Sequence, residues 1–121
     1  MIIRKEFIDA FISTGLRPHE AKVLIYLLEH KHGQSRDIER TMDLRQPEVC
    51  TALSSLQKQG WVKKTKTPRM TQGRPLFNYS LSKKPLTIIS ELKNLNEKKI
   101  SELEKIKNKL QEVEEDVKKK N

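Results

Sequence analysis

Between Arg45 and Lys58 the side chains that can donate or accept hydrogen bonds collect on one side of an expected helix. Val49, Leu53 and Leu56 recur at helical spacing on the apolar face, which leaves Pro47, Glu48, Thr51, Ser54, Ser55 and Lys58 on the opposite one. Small hydroxyl side chains let a helix come close to base edges. At the head of that face the Gln46 amide can pair bidentately with adenine and the Glu48 carboxylate can accept from a cytosine amino group, while Arg45 and Lys58 suit phosphates. A solvated polar helix face accounts for the Ser and Thr residues equally well, so the surroundings of this segment decide between the two.

Charge is the first of those surroundings. The 121 residues carry a formal net charge of +9, unevenly spread. Up to Asp43 seven basic and seven acidic groups cancel, whereas residues 44–74 hold Arg45, Lys58, Lys63, Lys64, Lys66, Arg69 and Arg74 against Glu48 alone. A basic block beside neutral neighbours is the footprint of a polyanion partner, although a basic surface that only favours solubility produces the same total.

The elements that must position these groups follow from the hydrophobic period. Ile3, Phe7, Ile8, Phe11 and Ile12 predict a helix over 3–14, stopped by Gly15. Pro18 and Glu20 open a second, whose Ala21, Leu24, Ile25, Leu27 and Leu28 form a broad buried face up to about His32. Ser35 and Asp37 start a third, short helix with Ile38 and Met42 inward, ending near Asp43. The turn Asp43-Leu44-Arg45 then leads to the fourth, which runs to Gly60, so the third and fourth make a helix-turn-helix candidate. After it the period changes to that of strands: Trp61–Thr67, turn-rich Pro68–Pro75, and alternating Phe77, Tyr79 and Leu81 predict a β-hairpin with a long basic tip. Lys64, Lys66, Arg69, Thr71, Gln72, Gly73 and Arg74 are the hairpin residues expected against nucleic acid, and Trp61, Phe77 and Tyr79 its core side. From Pro85 onward no Gly or Pro interrupts a Leu-, Ile-, Glu- and Lys-rich stretch, which predicts one helix of up to about 50 Å. The fold class expected is mainly α with a small β-hairpin wing, a winged helix-turn-helix over 1–82 followed by a long helix over 83–121.

The residues now support a named resemblance. Leu16-Arg17-Pro18-His19-Glu20-Ala21-Lys22-Val23-Leu24, Ser35-Arg36-Asp37-Ile38, Gln46-Pro47-Glu48-Val49 with Leu53, Leu56 and Gly60, and Gly73-Arg74-Pro75 with Tyr79 resemble the winged-helix domain of TrmB-like and MarR-like transcription regulators. The resemblance covers about residues 8–82 and implies a sequence-specific, usually dimeric regulator of double-stranded DNA. Residues 46–59 match its recognition helix and Arg69–Pro75 its wing tip, from which Arg74 would reach the minor groove. Arg17 stands where the family often has a capping Thr, so that capping box is expected to be lost. Thr51 stands where Arg or Lys is common, so base preference does not transfer. Larger TrmB-like regulators carry a ligand-binding domain after this one, and the charged helix in its place implies no built-in small-molecule sensor.

That helix spaces Ile89, Leu92, Leu103, Ile106, Leu110, Val113 and Val117 alternately by three and four once Asn96 and Lys99 are taken as polar members. The stripe reads as a coiled-coil seam for homodimerisation, with Leu95 and Ile100 off it. Two winged helices related by a twofold axis would read an inverted repeat. A protein-interaction adaptor that uses the long helix for a heterologous partner is the second reading, and RNA binding through the basic hairpin a third.

Other chemistry is not signalled. Three His and one Cys without ligand spacing suggest no metal, no cofactor motif occurs, and neither a nucleophile set nor a glycine-rich phosphate loop is present, so no enzyme is expected. Cys50 cannot form an internal disulfide and reads as a small boundary residue. The charged N-terminus lacks a signal-peptide block and no apolar run reaches about 18 residues, so a cytoplasmic protein without a membrane span is expected.

Overall fold

The computed structural model describes residues 2–71 and 74–120, with side chains described outside 67–76. Its elements are α1 (Lys5–Ser13), α2 (Pro18–His30), β1 (His32–Gly33), α3 (Ser35–Met42), α4 (Gln46–Lys58), β2 (Val62–Thr71), β3 (Arg74–Leu81) and α5 (Pro85–Lys120). Two compact units result, residues 1–88 and 89–121.

In the first unit α2 is the centre. Ala21 and every residue from Val23 to Leu28 are buried, a wider surface than the one face expected, because α1, α3, α4 and the sheet all pack around it. Ile38, Met42, Val49, Ala52, Leu53, Leu56, Trp61, Val62 and Ile88 complete the core. By contrast α1 buries none of its residues. Its stripe packs chiefly on α2, and Phe7 stays exposed beneath the Arg4 guanidinium, 5.4 Å from the ring centroid. The segment before α1 is tied back where the Ile2 amide donates to Glu29 Oε1 at 2.8 Å.

Both helices of the helix-turn-helix end through left-handed residues. Asp43 (φ 54°, ψ 53°) closes α3, and the Leu44 amide donates to the Glu39 carbonyl at 2.9 Å. Gly60 (φ 86°) closes α4, with its amide on the Gln57 carbonyl at 3.0 Å and the Trp61 amide on the Leu56 carbonyl at 3.1 Å. This is a Schellman ending, and Trp61 and Leu56, the residues at its two ends, are both buried. It turns the chain directly into β2.

The sheet is antiparallel with strand order β1-β3-β2, and β1 was not legible in the sequence. It is a two-residue strand in which Gly33 pairs with Tyr79 and His32 with Ser80. Gly33 is buried, and a Cβ there would lie 2.7 Å from Tyr26 Cε1, so no side chain fits without a shift. The Tyr26 ring cannot easily yield, being buried and set against the His30 ring at a tilt of 37°, with centroids 4.4 Å apart. Gly33→Ala is therefore expected to cost about 1–3 kcal/mol, read as a lower urea midpoint, and an unchanged midpoint would contradict the tight fit.

The hairpin also corrects an expectation. Instead of a long tip over 68–75, β2 continues to Thr71 and β3 begins at Arg74, with the register shifting between Lys66–Phe77 and Met70–Pro75. A ladder irregularity can host Pro68, which has no amide to donate.

In the second unit, residues 89–120 are helical throughout. Leu103, Ile106, Leu110, Val113 and Val117 are each more than half exposed, whereas Leu92, expected in the same stripe, is buried within the single chain. Ile89 and Asn96 are partly exposed.

Candidate nucleic-acid interface

Pro47 suits the first turn of α4, where the missing amide costs nothing. Arg45 precedes the helix in an extended conformation, and its amide donates to Glu48 Oε1 at 2.8 Å. The same device opens α2. There the Arg17 amide donates to Glu20 Oε1 at 2.8 Å, so the reciprocal half of the capping box survives although an arginine side chain cannot accept the other half. The box is halved, not lost.

The two capping carboxylates also join the helices. Glu48 Oε2 lies 3.0 Å from His19 Nε2, and the Ser55 hydroxyl donates to Glu20 Oε2. His19 and Glu20 are consecutive on α2, while Glu48 and Ser55 stand seven residues, about two turns, apart on one side of α4. Two cross-links therefore fix the recognition-helix candidate against the start of α2. A cleft of about 420 Å³ runs between the same turns, and Arg17, Pro18, Pro47 and Thr51 are among its walls. Among the described residues His19 Nδ1 is buried without a hydrogen-bond partner.

These links redistribute the expected base-reading face. Arg45, Gln46, Pro47, Thr51, Ser54 and Lys58 are exposed together on α4. Ser55, expected on the outer face, instead turns toward α2 and is occupied by Glu20, and Glu48 has both oxygens engaged, which leaves it poorly placed to accept from cytosine. Neither tertiary pairing has a signal in local sequence. The S/T/D/N-x-x-E pattern that marks a capping box is broken by Arg17 and Arg45, which hid both glutamates' roles. Ser55→Ala is accordingly expected to lower stability by about 1 kcal/mol and to leave base preference unchanged. Urea unfolding and sequencing of selected sites measure the two effects, and a changed base at one position would make Ser55 a reader.

On the hairpin, Lys64 and Lys66 are exposed on β2, and Lys64 Nζ sits 3.9 Å from the centroid of Phe77. That cation–π contact holds one basic group along the strand. The side chains of Arg69, Thr71 and Arg74, and the whole of Gln72 and Gly73, lie outside the described residues. Trp61 is buried, and Phe77 and Tyr79 are half-buried. Burial first, and then the Cys50 thiol, push the Tyr79 phenol above its ordinary 10.0. Cys50 itself is exposed.

Among the described residues no group of three His, Cys, Asp or Glu side chains could hold a metal ion, and no helix is long and apolar enough to cross a membrane.

This arrangement is found in known proteins. A regulator homologue from Pyrococcus horikoshii is 17% identical over 81% of this chain and 97% of its own, with a TM-score of 0.55. For a protein of Sulfolobus tokodaii the values are 23%, 82%, 93% and 0.59, and for a possible transcriptional regulator from Methanosarcina mazei 14%, 87%, 87% and 0.57. At such identities the likeness is one of fold, the winged helix. No curated protein sequence matches the chain. The family described as "Sugar-specific transcriptional regulator TrmB" matches residues 13–79, more than half of the chain and the whole span from the end of α1 to β3. The chain belongs to the TrmB family of winged-helix, DNA-binding transcriptional regulators.

Proposed function

We propose that the protein acts as a homodimer on a pseudo-palindromic duplex site, with α4 in the major groove and the β2–β3 wing on the backbone or in the adjacent minor groove. The observation that carries this reading is the joint exposure of Gln46, Pro47, Thr51, Ser54 and Lys58 on a helix whose opposite face is buried and whose start is fixed to α2. A rigid scaffold below and short polar groups above are what base-edge contact requires. Arg45 and Lys58 flank this face as phosphate contacts, joined by Arg17 across the cleft and by Lys64, Lys66, Arg69, Thr71, Gln72, Gly73 and Arg74 of the wing. Dimerisation runs through α5, where the exposed stripe Leu103, Ile106, Leu110, Val113 and Val117, extended by Ile89 and Asn96, needs an apolar partner. In this reading the protein works in the cytoplasm.

Titration of duplex binding against salt tests this reading. Counterion release predicts a log–log slope of about −0.9 per phosphate neutralised, and a flat response with negligible affinity would contradict it. A second reading, an adaptor whose long helix binds a heterologous partner, draws on the same exposed stripe and predicts that flat response.

A further inference from the structure

The exposed stripe of α5 does not by itself say how two copies lie, but two residues outside it do. Leu95 and Ile100 are 42% and 48% exposed, apolar, and off the seam defined by Leu103, Ile106, Leu110, Val113 and Val117. With Leu103, Leu110 and Val117 at position a of the heptad and Ile106 and Val113 at d, Leu95, Glu102 and Lys109 fall at g and Ile100, Lys107 and Glu114 at e. In a parallel, in-register pair each g residue faces the e residue five positions later on the second copy. Leu95 then meets the second copy's Ile100, Glu102 meets Lys107 and Lys109 meets Glu114. All three pairs match in kind, and twofold symmetry makes each of them twice.

We infer that α5 pairs with a second copy of itself in parallel and in register, which takes the dimeric reading above as its premise. The antiparallel alternative of widest overlap sets Leu103 against Ile106 of the second copy. Charges do not exclude it, because Glu102 would then face Lys109 and Lys93 would face Glu114. Its failure is at the other positions. Leu95 would oppose Asp116, Ile100 would oppose Lys107, and Asn96 would sit against Val113 with its amide unanswered. In the parallel pair Asn96 meets Asn96, the arrangement in which a polar a residue fixes register. Parallel pairing does place two Lys99 residues at facing d positions, where their long stems must carry the charge out of the seam. Within one helix Lys109 reaches Glu112 at 3.4 Å and Glu114 reaches Lys118 at 3.5 Å. These are exposed pairs, which exchange readily for interhelical ones. In the parallel arrangement both chains enter the rod from the same end, which keeps two DNA-reading units together for adjacent half-sites.

Cross-linking of the full-length protein decides the matter. With Cys50→Ser removing the exposed native thiol, Val117→Cys and, separately, Val113→Cys are oxidised under mild conditions, and the unoxidised samples are sized by sedimentation. Parallel pairing predicts a dimer in which most of the chain shifts to a band of twice the mass for both variants. In the antiparallel pair Val117 faces Leu92, about 37 Å from the other Val117, and no such band forms. A dimer without that band overturns the orientation alone. A monomer before oxidation overturns the orientation together with the pairing on which it rests.

Discussion

Replacing Ile106 and Leu110 with lysine is expected to leave the winged-helix unit folded, convert the protein to a monomer, and weaken binding to its own DNA site by about 100-fold or more. Both side chains are more than half exposed in the single chain, so their loss removes nothing from the core around α2. What it removes is the apolar seam, and four lysines at facing positions make the pair repulsive. The loss of affinity arises because linkage turns the second half-site contact into an intramolecular event at high effective concentration, an advantage a monomer forgoes. Sedimentation and a DNA titration read the two effects together. A dimer that persists in the double variant would contradict the role given to α5. Substitution is the sounder test than truncation after Ser82, since a chain ending there would also lose Ile88, which is fully buried in the winged-helix unit.

The second large effect concerns base reading. Gln46→Ala is expected to cost about 1–3 kcal/mol per half-site at the preferred sequence and to relax preference at one base-pair position of each half-site. Gln46 is the first residue of α4 and fully in reach of a ligand, exposed beside Arg45 and Pro47, and its backbone is held independently by the Arg45–Glu48 cap. Truncating its amide should therefore leave the helix in place. Arg74→Ala offers the contrast: if this wing residue neutralises phosphate as proposed, its loss lowers affinity for all sequences alike and shrinks the salt slope by about 1 for each phosphate no longer neutralised. Equal losses on every site for Gln46→Ala would show that this amide reads no base.

Much of the framework was legible because local rules governed it. The starts of α2 and α4 follow from Pro18 and Pro47, their ends from the positive-φ or capping residues around Lys31 and Gly60, and the long C-terminal helix from the absence of breakers after Pro85. What escaped the sequence depends on neighbours distant along the chain. The β1 strand exists only because β3 runs past it, and no two-residue segment declares itself a strand. Val23 lies off the single apolar face that the helical period marks on α2, yet it is fully buried, because α2 is packed by α1, α3, α4 and the sheet. Hairpin residues rich in Pro and Gly predict a loop, yet the ladder resumes at Met70–Pro75 after one irregularity.

The interface shows the same division. Helical periodicity separates Gln46, Thr51, Ser54 and Lys58 from the core correctly, since exposure on an amphipathic helix is a local property. It fails for Ser55 and Glu48, whose partners Glu20 and His19 lie 35 and 29 positions away. A serine on the shoulder of a helix is equally suited to DNA or to a neighbouring carboxylate, and only the packing of α2 on α4 decides which it meets. The residues drawn off the outer face of α4 are the ones that tie it to α2.

Selection of random duplex DNA by the full-length protein at about 0.15 M salt, with sequencing of the bound pool, measures whether the protein reads sequence as a dimer. Two α4 helices related by a twofold axis predict an enriched inverted repeat whose half-sites are spaced by about one helical turn or a multiple of it. A pool without enrichment, or one enriched in a single unrepeated half-site, would contradict a sequence-reading dimer.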